Sequence, residues 1–340
     1  MIKKLIVGVG ITLLIILLIN FKLLSYILGQ AKGQFHILKN ARSVEEVLND
    51  PSVVDSVKVK LKLVNEIKQY ATDSLGLKQS ENYTTVFDQK GEEVLWVVTA
   101  CNPFDFKAKM WAFPIIGSFT YKGFFDKSKA ESLKEKLDDE GLDTEMRSVS
   151  GWSTLGWFKD PILTNMLAGS DGELANTVIH ELTHGTIFVP DSMTFNENLA
   201  TFIGHIGSQN FLKATYGENS IQAINYKNKR SDSRKLSQHL IRGAYALDSL
   251  YNSFDKNIST EAKYKLKNAS ITQIIELIDT IRFNNKRYYK LFEKRKPNNA
   301  YFISFLNYRE RQDIFQEMFE IEFGHNVIRF IDYWKAKYGQ

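Results

Sequence analysis

The chain has 340 residues, of which 44 % are hydrophobic and 24 % are charged, and its formal net charge is +5. These values are typical of a folded protein with one large core or two smaller ones, and the charge excess is too small to indicate nucleic-acid binding. Cys101 is the only cysteine, which excludes an intramolecular disulfide and a cysteine-based metal cluster.

The N-terminal segment has the pattern of a membrane anchor. Lys3 and Lys4 precede an unbroken apolar run, Leu5–Ile19, and a weaker apolar stretch follows it. Together they reach the roughly 20 residues that a membrane-spanning helix needs. No Ala-x-Ala site follows, so we expect one uncleaved transmembrane helix within residues 1–30, with a cleaved signal peptide as the alternative. The lysines favour a cytoplasmic N-terminus, which predicts a single-pass protein of the bacterial inner membrane with its body, residues 31–340, outside the cytoplasm.

The first part of this body, residues 31–168, is predicted to combine helices with a mixed sheet. A capping box at Ser43–Glu46 predicts a helix that reaches Leu77, and a second box at Ser128–Glu131 predicts a helix that ends at Gly141. Runs of β-branched and aromatic residues predict strands between and after these helices. The predicted strands are 94–98, 109–113, 119–124 and 143–149.

The second part, residues 169–340, is predicted to be helical. A third capping box, Ser170–Glu173, starts a helix that we expect to end before Pro190. Another helix starts near Thr194, and small residues on one of its faces would let it approach the first helix closely. Further helices are predicted at 236–254, 270–292 and 299–337, the last one broken near Gly324. The predicted class is therefore α+β, with a sheet part and a helical half in one domain.

Residues 180–184 read His-Glu-Leu-Thr-His inside the first of these two helices. Two histidines four positions apart point the same way on a helix, so His180 and His184 can hold one metal ion. Glu181, between them, is placed to act as a general base on a metal-activated water. We expect Zn²⁺, because two neutral imidazoles with one carboxylate leave a zinc position open for that water.

Glu197 is the candidate for the third ligand, thirteen residues after His184. The short connection with Pro190 should bring its helix back against the first one. The spacing also allows another role, because Thr194–Glu197 is itself a capping box in which Glu197 would satisfy a backbone amide. Asp191 is better suited to an outer position around the metal.

Several further residues are weaker candidates. Tyr216 and Tyr308 could each donate a hydrogen bond to a tetrahedral oxyanion, and the sequence does not separate them. His205 lies about 80° around the helix from Glu197, so we expect a partly buried, hydrogen-bonded histidine there. Two basic clusters, at 227–235 and 286–296, are expected to be solvated helix ends rather than sites for anionic lipid.

Several separate blocks of the chain, in the same order, resemble a family of bacterial predicted zinc aminopeptidases of the gluzincin type. The matching blocks are Gly33-Gln34, residues 111–117, 121–125 and 153–158, Asp160-Pro161, and residues 180–184, 195–200 and 298–300. The resemblance implies a zincin-like fold, zinc ligation by His180, His184 and Glu197, and catalysis by Glu181. It also places residues 153–158 beside the cleft, which makes Gly156 and Trp157, together with Tyr308, the substrate-cleft candidates.

The chain departs from that family in two ways. Members often carry a lipid-attachment cysteine near the N-terminus, where this chain has the apolar run. They also tend to have cysteines at the positions of Ala112 and Ser118. The Gly-x-Met-Glu-Asn segment of better-known gluzincin aminopeptidases is missing as well, so the exopeptidase assignment rests on the family description.

The function predicted from these patterns is zinc-dependent hydrolysis of peptides, with aminopeptidase activity as the first interpretation. Three alternatives stay open: an endopeptidase, a hydrolase of cell-wall amides, and a non-catalytic envelope protein that binds zinc or peptides. The expected partners are a peptide substrate and the membrane, with no nucleic acid, and the sequence gives no indication of the oligomeric state.

Overall fold

The computed structural model describes residues 21–113, 117–149, 159–190, 192–309 and 311–339, except for the side chains of residues 22, 307 and 308. Within these ranges, short strands lie before residue 164 and the rest is largely helical, which confirms the α+β class and the helical C-terminal half. The apolar run Leu5–Ile19 lies outside them. None of the described helices combines the length and the apolar character that crossing a membrane requires.

The described helices are numbered in chain order. Their bounds are α1 Phe21–Asn40, α2 Val44–Asn49, α3 Asp55–Asp73, α4 Lys127–Asp139, α5 Asp171–His184, α6 Met193–Tyr216, α7 Ile221–Asn252, α8 Thr260–Glu276, α9 Asn299–Arg309, α10 Gln312–Ile321 and α11 Val327–Tyr338. The predicted boundary between anchor and body, at residue 30, falls inside α1.

The described strands form small separate sheets. Their bounds are β1 Arg42–Ser43, β2 Thr85–Phe87, β3 Trp96–Cys101, β4 Trp111–Phe113, β5 Gly117–Phe119, β6 Tyr121–Phe124, β7 Asp143–Ser148 and β8 Ile162–Leu163. One sheet has the order β1-β2-β8 and is mixed, because β2 pairs antiparallel with β1 and parallel with β8. A second, antiparallel sheet has the order β6-β3-β7, and β4 and β5 form a hairpin. The sequence predicted a single mixed sheet, whereas the described strands form separate small sheets.

Two of the three predicted capping boxes are confirmed. The side chains of Ser43 and Ser170 accept hydrogen bonds from the backbone amides three residues later. The glutamate side chains at those positions accept from the backbone amides of the two serines. The third prediction is wrong, because the Asp126 carboxylate caps α4 instead and accepts from the Ser128 amide at 2.9 Å. Aspartate is as good a cap as serine, and here it comes first in the chain.

Two predicted helices are shorter than expected. The helix predicted from Ser43 to Leu77 is divided at Pro51, which has no amide hydrogen to donate. The helix predicted at 270–292 ends with α8 and continues only as short 3₁₀ turns. The chain leaves the helix there, and the backbone amides of Asn284 and Asn285 donate to the buried carboxylate of Asp232 instead.

The largest core lies around α5 and α6. It includes the apolar residues predicted to face inward from α5, Leu174, Val178 and Leu182, together with side chains of α3, α10 and α11. A second core joins α7, α8 and α9. The helices α5 and α6 therefore lie at the centre of the largest core, where they pack against α3, α10 and α11.

Candidate metal centre

The local sequence explains why His180 and His184 share one face of α5. The capping box at Ser170 fixes the start of the helix, and the apolar stripe of α5 faces the core. The remaining face carries His180, Glu181 and His184 in or near its last turn. Both histidines are therefore on a rigid element that is held at its start and along its length.

The structure brings three predicted residues together. His180 Nε2 lies 3.1 Å from His184 Nε2. The Glu197 carboxylate approaches both rings, with Oε2 3.5 Å from His180 Nε2 and Oε1 3.7 Å from His184 Nε2. Three potential ligand atoms of these residues lie within 4.8 Å of one another.

These distances fit a small tetrahedral metal ion. A Zn–N distance of 2.0–2.1 Å places two ligand atoms of a tetrahedral site about 3.3 Å apart. The three measured separations lie on both sides of that value. Both histidines present the same nitrogen, which suits two neutral imidazoles that bind one ion through Nε2.

The electrostatics of the three groups also favour a cation between them. Burial acts to raise the pKa of Glu197, but the two histidines lower it, so the carboxylate is ionised. Burial lowers the pKa of His184 to about 4. Burial acts in the same way on His180, but its hydrogen bond to Glu197 and the nearby carboxylates raise its pKa. The group therefore offers one anion and one neutral imidazole, with a second imidazole whose pKa is raised by the nearby carboxylates.

Glu181 lies beside these three residues in a protected position. Burial raises the pKa of Glu181 to about 7, against the effect of His180, and the charges of Glu197 and Asp160 act in the same direction as burial. Its Oε2 atom is buried and has no hydrogen-bond partner among the described residues. A half-buried carboxylate with one free oxygen and a pKa near neutrality is suited to accept and return a proton.

Glu197 is held by the two asparagines next to it in the chain. Asn196 accepts a hydrogen bond from the backbone amide of Val189 at 2.9 Å and donates to the carbonyl of the same residue at 2.8 Å. Asn198 accepts from the backbone amide of Arg311 at 2.9 Å. The side chain before Glu197 thus fixes the α5–α6 connection, and the one after it fixes the start of α10.

The predicted close approach of α5 and α6 depends on glycine. A Cβ atom on Gly204 would lie 2.8 Å from Asn176 Oδ1, 3.1 Å from the Asn176 carbonyl oxygen and 3.3 Å from His180 Cβ. One turn later, a Cβ atom on Gly207 would lie 2.9–3.2 Å from side chains of Leu75 and Ile179. The absence of side chains here lets Glu197 reach the histidines across the helix pair.

The remaining predicted site residues have different outcomes. Gly156, Trp157 and Asp191 lie outside the described residues, and so does the side chain of Tyr308. Tyr216 donates to Asp171 at 3.0 Å, at the first residue of α5, which is nine residues and about 14 Å along the helix from His180. Tyr216 is therefore not positioned as the oxyanion donor.

His205 was expected to be a partly buried, hydrogen-bonded histidine, and this expectation is confirmed. Its Nδ1 atom lies 3.1 Å from the hydroxyl group of Tyr226. Two residues near Glu181, Tyr83 and Asp160, were not predicted from the sequence as site residues. The charge of Asp160 acts to raise the pKa of Glu181. Burial, followed by the charge of Glu181, raises the pKa of Tyr83. Asp160 stood in a matching block of the family resemblance, whereas Tyr83 carries no signal in the sequence.

A groove of about 580 Å³ begins one turn of α6 before Glu197. It lies between the β4–β5 hairpin, the start of α6 and the end of α11, and it has apolar, aromatic and basic walls. The described lining includes Met110, Thr120, Met193, Thr194, Phe195, Arg311, Trp334, Lys337 and Tyr338. Its volume is in the range of small-molecule binding sites.

The fold and the geometry define a mixed α+β protein in which two histidines and a glutamate converge beside a second, buried glutamate. A family model described as putative aminopeptidase matches residues 25–337. This match covers most of the chain, which therefore belongs to that family. No curated protein and no solved structure matches the chain.

Proposed function

We propose that the protein is a zinc-dependent peptidase that acts as an aminopeptidase. Membership of the family supports peptidase activity. The observation that carries the zinc assignment is the convergence of His180 Nε2, His184 Nε2 and the Glu197 carboxylate at separations typical of one tetrahedral ion. Glu181 beside them supplies the proton acceptor that a hydrolase needs and that a purely structural metal site would not require.

The roles of the residues follow from their positions. Zn²⁺, when bound, would polarise the scissile carbonyl group and acidify the attacking water. His180, His184 and Glu197 would hold the ion, with the third ligand fixed by Asn196. Glu181 accepts the proton of the water and returns it to the leaving amine, and its pKa near neutrality suits both directions of transfer.

The antiparallel pair α5–α6, with two ligands on the first helix and one on the second, supports a zincin-like arrangement. Exopeptidase action rests on the family description alone, and the groove beside α6 is the first candidate for the peptide-binding surface. We also propose that the apolar N-terminal run anchors the protein in the bacterial inner membrane with the metal centre outside the cytoplasm. Protease accessibility of the intact protein in spheroplasts, compared with lysed cells, tests this orientation.

Metal analysis and peptide cleavage test the proposal directly. The purified full chain is expected to contain one zinc ion per protein, and His184→Ala is expected to lose it. Glu181→Gln should retain zinc and lose about 10²- to 10⁴-fold in kcat. Glu322→Gln, which changes an exposed glutamate at the end of α10, is the matched control and should leave both unchanged.

A peptide library read by mass spectrometry distinguishes the alternatives. Stepwise loss of N-terminal residues supports the aminopeptidase, and internal cleavage identifies an endopeptidase. Zinc binding without cleavage of peptides or cell-wall fragments, with normal function of Glu181→Gln in cells, would contradict the enzyme assignment.

A further inference from the structure

The groove beside the candidate metal centre has two cations in its walls, Arg311 and Lys337, which we call the groove cations. Arg311 lies directly before α10, Lys337 lies in the last turn of α11, and both side chains are exposed. The described lining contains no aspartate or glutamate, and its other residues are apolar, aromatic or hydroxyl-bearing. A cleft whose charges have one sign attracts a ligand of the opposite sign, so this groove is suited to an anion.

Two described acids that are close to the groove cations in the sequence are paired elsewhere. Asp313 follows the first groove cation by two positions, and its Oδ1 atom lies 2.9 Å from Arg234 Nη2. Asp332 precedes the second one by five positions, and its Oδ1 atom lies 3.7 Å from Lys335 Nζ. Among the described residues, neither groove cation has a carboxylate oxygen within 4.0 Å. The described part of the chain therefore leaves the positive charge of the groove without a counter-ion.

Lys337 is held over the aromatic wall of the groove. Its Nζ atom lies 5.3 Å from the ring centroid of Tyr338 and 5.7 Å from that of Trp334. These two rings are stacked with 6.0 Å between their centroids, and Phe195 meets both of them edge to face, at 5.7 and 5.2 Å. Cation–π contacts position an ammonium group without neutralising it, so its N–H donors stay available to an anion.

Direct contacts join the groove to the candidate metal centre. Thr194 and Phe195 line the groove three and two positions before Glu197 on α6, which corresponds to about 3–5 Å along the helix axis. The two asparagines that flank Glu197 bind the backbone of two further lining residues, Val189 at 2.8 and 2.9 Å and Arg311 at 2.9 Å. The side chains that fix the position of Glu197 therefore also fix two walls of the groove.

The walls of the groove are also held to one another. The backbone amide of Phe188 donates to the carbonyl of Tyr338 at 3.4 Å, which ties the end of α11 to the α5–α6 connection. The hydroxyl group of Thr120 donates to Met193 Sδ at 3.9 Å, which ties the segment after β5 to the start of α6. The groove is therefore formed before a ligand binds, and binding does not have to order its walls.

We propose that this groove binds an aspartate or glutamate side chain of the peptide substrate. Arg311 provides a guanidinium fork for the carboxylate, and Lys337 provides a second positive charge over the aromatic wall. An extended peptide spans about 3.3–3.6 Å per residue, so a groove that begins about 3–5 Å from Glu197 lies one or two residues from the scissile bond. In an aminopeptidase substrate these are the second and third residues. The inference rests on the proposed function and specifies its substrates as acidic peptides.

Peptide binding to the zinc-loaded full-length Glu181→Gln variant tests the groove without depending on turnover. Pentapeptide amides with one glutamate at the second or third position are compared by calorimetry with the same peptides carrying glutamine or lysine there. The better of the two glutamate peptides is expected to bind about 3- to 30-fold more tightly than its glutamine counterpart, which is the range that one or two exposed charge pairs provide. This preference should decrease at high salt. Equal binding of the glutamate and glutamine peptides at both positions would overturn the proposal.

Substitution of the groove cations assigns the preference to this groove. Arg311→Gln with Lys337→Gln, in the Glu181→Gln background, should reduce the glutamate-to-glutamine ratio to about one, and Arg311→Glu with Lys337→Glu should favour the lysine peptide instead. Lys62→Gln with Arg329→Gln is the matched control, because it changes the net charge equally at exposed positions that do not line the groove. Thermal unfolding of each variant shows whether it is folded. A folded Arg311→Gln, Lys337→Gln variant that keeps the preference refutes the assignment.

The kinetic arm separates this inference from the proposed function. In the active protein, kcat/KM for the glutamate peptide should exceed that for the glutamine peptide by a similar factor, mainly through KM, because the groove contacts the peptide away from the reacting bond. Hydrolysis of both peptides with equal kcat/KM would leave the peptidase assignment intact and overturn only the acidic-peptide groove. Preferential binding of the glutamate peptide without any hydrolysis would do the reverse.

Discussion

Substitution of Gly204 by alanine tests whether the close approach of α5 and α6 sets the geometry of the candidate metal centre. The new Cβ atom would lie 3.1 Å from the Asn176 carbonyl oxygen, about 0.3 Å less than the 3.4 Å of ordinary contact, and 3.3 Å from His180 Cβ. The Asn176 side chain can rotate away, but the backbone carbonyl cannot. The helices must therefore separate slightly at the turn that carries His180.

Two opposing effects determine the stability of this variant. Alanine in the middle of a helix is favoured over glycine by about 1 kcal/mol, and the added contact costs about 1–3 kcal/mol. The net loss should lie between about 0 and 2 kcal/mol, measured by urea unfolding of the metal-free protein. Metal affinity should fall more clearly, by about 10- to 100-fold, because Glu197 is displaced relative to the histidines. Competition with a chromogenic chelator measures this affinity.

Gly207→Ala is the matched control, because it adds the same atom to the same helix one turn further from the ligands. Its Cβ would meet the apolar side chains of Leu75 and Ile179 at 2.9–3.2 Å, so a comparable cost in stability is expected. Its metal affinity should stay within about threefold of the original protein. If the two variants lose metal affinity equally, or if Gly204→Ala binds zinc normally, the reasoning from helix separation is wrong.

Three further predictions concern the supports of the site and the sheets. Asn196→Ala should lower the free energy of unfolding by about 2–3 kcal/mol, because two backbone groups of the α5–α6 connection lose their partner. We expect kcat to fall as well. A urea-unfolding curve identical to that of the original protein would contradict this prediction. Lys267→Met removes the buried cation from the partly buried carboxylate of Asp143, which keeps only its hydrogen bond from the Asn299 amide, so a loss of about 3–5 kcal/mol is expected. A loss of only about 1 kcal/mol would show that the pair behaves as a surface pair. Ala112→Cys combined with Ser118→Cys should form a disulfide, because these residues are directly opposite in the β4–β5 hairpin. The disulfide should stabilise the oxidised protein by about 2 kcal/mol. Thiol titration that still finds both introduced cysteines free after oxidation would refute the pairing.

The parts of the fold that the sequence predicted are those decided by local chemistry. The capping boxes at Ser43 and Ser170 need only residues three positions apart, and both are present. The two helices of the metal centre were predicted from the periodicity of their apolar faces. Asp126 and Ser128 are both possible N-cap residues for α4, and the local sequence pattern does not show which of them is used.

The parts that the sequence did not predict depend on contacts between distant segments. The backbone amide of Tyr83 donates to the Asp160 carbonyl at 2.7 Å, and the charge of Glu181 acts on the buried Tyr83 hydroxyl, so residues far apart in the chain meet here. Arg311, whose backbone amide donates to the Asn198 side chain next to Glu197, lies more than a hundred residues beyond the metal motif in the chain and shows no periodic or motif signal of its own. Such residues become visible only when the helices are packed, because their partners are neither at fixed spacing nor of a single type.

The position of Glu197 shows how a tertiary contact decides between two roles that the local sequence allows equally. The helix α6 begins at Met193 with Ser192 in the N-cap position, so the glutamate of a capping box would have to stand at Phe195. Glu197 is therefore too far along the helix to cap it, and its carboxylate faces the two histidines instead. Asn196 accounts for this start, because its amide group binds both backbone groups of Val189 and folds the connection against the first turn. The three residues Asn196, Glu197 and Asn198 thus act as one unit, in which the outer two fix the helix and the middle one is directed to the two histidines of the candidate metal centre.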